Sequence, residues 1–143
     1  MLFETFGDQK NPAVLFFHAM GVTGESSEQV AKYLQDRYFC ILPTSTVYCK
    51  GQKYVSKADE IRQVEDYLHG QDVNRLAMVV ASSIGADLAM AFLTQTKLPT
   101  LSLTAGSLRK SKRYAPHHDA VSVFCHQEPV LVEGRYAEKD PVV

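Results

Sequence analysis

Cysteine is scarce. Only Cys40, Cys49 and Cys125 occur in the 143 residues, an odd number with no C-x-x-C spacing. That argues against a disulfide scaffold or a zinc knuckle and leaves reduced thiols in a cytoplasmic protein as the simpler expectation. The N-terminus, Met1-Leu2-Phe3-Glu4-Thr5, lacks the basic segment and apolar run of a signal peptide. No stretch approaches the roughly 18 apolar residues of a membrane span, so no membrane partner is expected. Charge of one sign is also lacking. The formal net charge is −1, which gives no reason to expect nucleic acid. There is no internal repeat and no low-complexity tract. Gly21-Val22-Thr23-Gly24 follows a strand-like run, as in a nucleotide-binding unit, but neither G-x-x-x-x-G-K-[ST] nor G-x-G-x-x-G is present. No cofactor is expected. Pro116-His117-His118-Asp119 has no second ligand set, so no metal is expected either. The basic run Arg109 to Arg113 reads as solvated tail.

What is there is an alternation of two patterns over residues 1 to about 105. Leu2 to Phe6 reads as a short strand. Ala13-Val14-Leu15-Phe16-Phe17 is a continuous apolar run, as in a parallel strand buried on both faces. Ser26 and Gln29 form a capping box for a helix whose apolar face holds Val30, Tyr33 and Leu34. Phe39 to Leu42 reads as a strand ended by Pro43. Ser56 with Asp59 opens a second helix carrying Ala58, Ile61, Val64 and Leu68, with Gly70 at a left-handed C-cap. Leu76 to Val80 is a third strong strand, Gly85 to Thr96 a third helix stopped by Pro99, and Leu101 to Leu103 one more strand. Strands alternating with such helices predict an α/β fold, a mainly parallel sheet of about four or five strands flanked by helices.

Ala81-Ser82-Ser83-Ile84-Gly85 lies between a strong strand and a helix. A nucleophilic serine on a strained strand-to-helix turn needs small residues two places before and after it. Ala81 and Gly85 meet that need around Ser83, whereas centring on Ser82 puts Val80 and Ile84 there. Ser83 is therefore the catalytic candidate, and the competing reading is a plain helix N-cap. The Ile84 N–H then faces the reacting oxygen at the positive end of a helix. The second oxyanion donor should come from the loop after Phe17, with Met20 N–H first and Ala19 N–H next. His18 reads as a structural loop histidine.

These segments resemble the α/β-hydrolases. His18-Ala19-Met20-Gly21 is similar to the H-G-x-G oxyanion loop, residues 76 to 93 to the elbow strand, elbow and helix, and residues 56 to 69 to the helix before that strand. Ala81 and Ala19 stand where the family has glycines, and Pro43-Thr44-Ser45-Thr46 stands in place of its Pro-Asp and glycine-rich loop. The resemblance covers roughly residues 1 to 105. It implies an incomplete α/β-hydrolase fold and hydrolysis of a small-molecule ester or amide by a serine. It also implies a triad acid and histidine later in the chain than Ser83.

After about residue 105 the pattern is lost. Residues 106 to 143 are expected to be an irregular, poorly ordered or loosely packed tail, in which Val121 to Cys125 has strand propensity. The tail is too short for the family's remaining strands, acid and base. His117, His118 and His126, with Asp119, Glu128, Glu133, Glu138 and Asp140, are the groups present there. Such a break fits a change of reading frame in the gene, which the DNA beyond the Gly106 codon checks. The competing function is a non-catalytic hydrolase-like fragment or pseudoenzyme that binds a partner, with self-association through an exposed sheet edge.

Overall fold

The computed structural model describes residues 1–106 and 120–124, with side chains through Thr104. Among these, six strands form one sheet in the order β1-β3-β2-β4-β5-β6. They are β1 Leu2–Phe6, β2 Ala13–Phe17, β3 Phe39–Thr44, β4 Leu76–Ser82, β5 Ser102–Gly106 and β6 Ala120–Phe124. The four inner strands β3, β2, β4 and β5 are parallel. The outer β1 and β6 pair antiparallel to β3 and β5. The helices are α1 Glu28–Leu34, α2 Lys57–Gly70 and α3 Ile84–Gln95, with 3-10 turns at Gly24–Ser27 and Thr46–Tyr48. This is the mainly parallel, helix-flanked sheet that the alternating pattern predicts. The segments 107–119 and 125–143, with the tail's histidines and the Arg109–Arg113 run, lie outside the described residues.

The apolar run at β2 is explained by its position. All five residues are buried, and alternate ones serve opposite faces. Val14 and Phe16 pack with Cys40, Leu42 and Ala31 of α1. Ala13, Leu15 and Phe17 join Ile61, Val64 and Leu68 of α2 and Ala89 and Phe92 of α3. Each such large side chain contributes roughly 1.5–3 kcal/mol by leaving water. Burial also pushes the Cys40 thiol up to about 11, so it is a packing group and not a thiolate nucleophile at neutral pH.

Several local expectations are corrected. Of the α1 face that periodicity picked, Leu34 packs against the core, but Val30 and Tyr33 do not. Ala31 is buried, while Val30 is 50% and Tyr33 87% exposed. A helix of seven residues fixes its face by how its small residue meets the sheet. The Ser26–Gln29 capping box is absent, because the chain first makes a 3-10 turn in which Ser26 Oγ donates to the Thr23 carbonyl at 2.8 Å. Ala58 is exposed, and the buried α2 position near it is Glu60. Pro43 does not end β3 but lies inside it, beyond the last β2–β3 rung at Leu15–Ile41 and opposite Phe3 of β1.

Gly70 is not the left-handed residue at the end of α2. Asp72 is, with φ 56°. There Val73 N–H donates to the Leu68 carbonyl and Asp72 N–H to that of His69, at 2.9 and 3.1 Å. This is the Schellman pattern, shifted two residues past the glycine. A side chain in that conformation costs roughly 1 kcal/mol. Asp72→Gly is therefore expected to raise stability by about 0.5–1 kcal/mol, read as a higher urea midpoint with unchanged slope.

Candidate active site

The chain leaves β2 for β3 on one side and returns to β4 on the other. The loops after β2 and β4 therefore diverge side by side at the carboxyl edge of the sheet, the switch point where open α/β sheets bind ligands. Ser83 lies there, between β4 and α3. Its backbone has φ 52° and ψ −119°, a region that costs a non-glycine residue on the order of 1–3 kcal/mol. Its side chain is exposed and makes no capping hydrogen bond to α3. A plain N-cap serine lowers the energy of its helix by such a bond. Ser83 is instead held in a strained turn with its hydroxyl not engaged in capping α3.

The small neighbours have a visible cause. A Cβ at position 85 would lie 2.5 Å from the Phe17 carbonyl oxygen and 2.6 Å from that of His18. Only glycine lets the start of α3 sit against the end of β2. Ala81 is buried at the last β2–β4 rung, opposite Phe17. Phe17 also meets Phe92 of α3, ring centroids 5.9 Å apart. The elbow and the His18–Gly21 loop are thus packed together. Ile84, as the first residue of α3, has an N–H without an intrahelical acceptor.

The His18–Gly21 loop is clamped from the Ser45–Tyr48 turn. Ser45 N–H donates to His18 Nε2 at 3.0 Å, and His18 Nδ1 donates to the Ala19 carbonyl at 2.8 Å. Gly21 N–H donates to Tyr48 Oη at 2.7 Å. The turn is in turn fixed from α2. Glu60, 2% exposed, accepts from Thr46 N–H at 3.2 Å and from the Thr46 hydroxyl. Sequence periodicity missed Glu60, since a charged residue does not count towards an apolar face. Its signal was only its place beside Ile61. Glu60→Ala leaves the buried Thr46 donors unmatched and is expected to cost about 2 kcal/mol. Glu60→Gln, which keeps an acceptor oxygen, is expected to recover most of that in a denaturant titration.

Beside the elbow lies a cavity of about 360 Å³ whose walls include Phe17, His18, Met20, Glu60, Ile84 and Leu88. Met20 and Ile84, the two residues expected to supply oxyanion donors, both line it. Ser83 does not. Lys57 at the start of α2 and Asp87 in the first turn of α3 form an ion pair at its wall. Neither described histidine stands ready as a base. Both ring nitrogens of His18 are engaged, and His69 lines a separate hollow at the far end of α2. Among the described residues no group of three His, Cys, Asp or Glu stands close enough to hold a metal ion. Likewise, no helix among them is long and apolar enough to cross a membrane.

No family model and no curated protein sequence matches this chain. Solved structures do. An alpha/beta hydrolase family protein from Desulfitobacterium hafniense superimposes with a TM-score of 0.68 at 19% identity, over 74% of this chain and 44% of its own. A marine microorganism esterase gives 0.64 at 15%, over 73% and 40%. An epoxide hydrolase of Vigna radiata gives 0.62 at 16%, over 80% and 38%. Sheet order, elbow and loop thus define a protein with part of the α/β-hydrolase fold. The chain spans less than half the length of each of these structures, and at such identities the likeness is one of fold.

Proposed function

We propose that this chain carries the nucleophilic half of a serine hydrolase site for esters or amides. The observation that carries the reading is Ser83, an exposed hydroxyl on a strained backbone where β4 gives way to α3. Ser83 Oγ bonds to the carbonyl carbon and its proton passes to a base. The resulting oxyanion is held by the N–H groups of Ile84 and Met20, each such donor being worth about 100- to 1,000-fold in rate. Collapse breaks the bond to the alcohol or amine, which leaves with the proton. Water then repeats the sequence on the acyl group. The base and acid belong to chain outside the described residues, where His117, His118 and His126 are the histidines in this sequence. Similar folds carry names as different as esterase, epoxide hydrolase and phospholipase, so the fold alone does not select the reaction.

A fluorophosphonate probe followed by peptide mapping tests this. The expected result is a single adduct on Ser83 that heat-unfolded protein does not form. Absence of that adduct in folded protein removes the serine mechanism. It leaves the second reading, a non-catalytic hydrolase-like protein that binds a partner. That alternative is favoured by one observation, the engagement of both His18 ring nitrogens, since a serine without a base is a weak nucleophile.

A further inference from the structure

We propose that the cavity beside the elbow takes an uncharged aliphatic acyl group of about six to ten carbons, a reading of the substrate that rests on Ser83 being the nucleophile. The walls that matter are Phe17, Met20, Pro43, Val47, Ile84 and Leu88, which offer carbon and sulfur surface. Several polar groups around them already have partners. Lys57 is paired with Asp87, and Glu60 is occupied by the N–H and hydroxyl of Thr46. His18 is bonded at both nitrogens, and Tyr48 Oη accepts from Gly21. The Met1 ammonium at the wall donates to the side-chain oxygens of Gln52 and Gln63, and an uncharged chain, unlike a carboxylate or an ammonium, brings no charge of its own to be buried against the apolar walls.

Size and direction follow from the same walls. The volume of about 360 Å³ is a little over twice that of a cavity of roughly 150 Å³ that holds benzene. Since Met20 and Ile84 line the space, a carbonyl oxygen held on their N–H groups directs the acyl chain into it. Ser83, the residue before Ile84, stands outside the lining, so the cavity receives the chain and not the reacting carbon. In the acylation step the Ser83 Oγ–carbonyl carbon bond forms, the carbonyl carbon–O bond to the leaving group breaks, and the serine proton goes to base or solvent.

The test uses the full chain with p-nitrophenyl acetate, butyrate and octanoate, whose leaving group is constant, and intact-mass detection of the Ser83 acyl adduct. The second-order acylation constant is expected to rise about 10-fold or more from acetate to octanoate. Val47→Trp, at a 58% exposed wall position, is expected to bring the octanoate-to-acetate ratio of acylation constants down to about 1. Acylation independent of chain length, or a gain that survives Val47→Trp, overturns the cavity assignment but not the serine. If no ester acylates Ser83, the serine reading fails and the cavity is judged without chemistry. Saturable shifts of the Val47, Ile84 and Leu88 amide signals with 1-octanol, and none with octanoate at the same concentration, support it. No shift with octanol, or equal shifts with both, overturns it.

Discussion

Gly85→Ala is expected to lower stability by about 3 kcal/mol, although alanine is the better helix former. In an exposed helix the exchange gains roughly 0.5–1 kcal/mol. Gly70, the exposed last residue of α2, offers such a case, with no atom within 4 Å of the Cβ that alanine would add. At position 85 the same methyl group meets two backbone carbonyl oxygens at 2.5 and 2.6 Å. Backbone cannot turn aside as a side chain does. Either α3 or the end of β2 must move, which is the overpacking cost of roughly 1–3 kcal/mol at its upper end. Opposite signs for Gly70→Ala and Gly85→Ala in urea titrations are the expected result. A neutral Gly85→Ala would mean that the start of α3 does not press on β2, and the packing of elbow against loop would fall with it.

That contact was legible in the sequence only as a spacing. Ala81 and Gly85 around Ser83 announced a cramped turn, and the apolar run Ala13–Phe17 announced a strand covered on both faces. Both are long-range consequences of short, strong patterns, and the fold follows from them. What the sequence hid were features decided by three-dimensional context. Val30 and Tyr33 keep helical spacing with Leu34, yet α1 presents Ala31 and Leu34 to the core and leaves the other two in solvent. Gly70 looked like a C-cap, yet it is the last residue of α2 and the left-handed conformation falls on Asp72. The clamp from Glu60 through Thr46 and Ser45 to His18 joins residues far apart in the chain, and no periodicity marks it. The base and acid that the proposed serine mechanism needs were illegible for a simpler reason. The family pattern puts them later than Ser83, where this sequence shows histidines without a recognisable strand–helix frame.

Replacing Ser83 separates strain held for chemistry from strain that is incidental. Ser83→Ala is expected to abolish fluorophosphonate labelling with stability nearly unchanged, since alanine meets the same backbone penalty at φ 52° and ψ −119°. Ser83→Gly is expected to abolish labelling and raise stability by about 1 kcal/mol, because glycine enters that region with little cost. The two variants thus lose the same chemistry but differ in stability, the pattern of a site that keeps a strained residue for function. Ser82→Ala, one residue earlier on β4, is expected to keep the label. An N-cap serine predicts otherwise. Alanine would then cost about 1 kcal/mol, glycine a few tenths, and neither would gain. Thermal and urea unfolding of the three variants beside the labelling assay decides between them. A Ser83→Gly protein less stable than the parent would mean that the turn at the end of β4 is not held under strain and that residue 83 serves only to start α3.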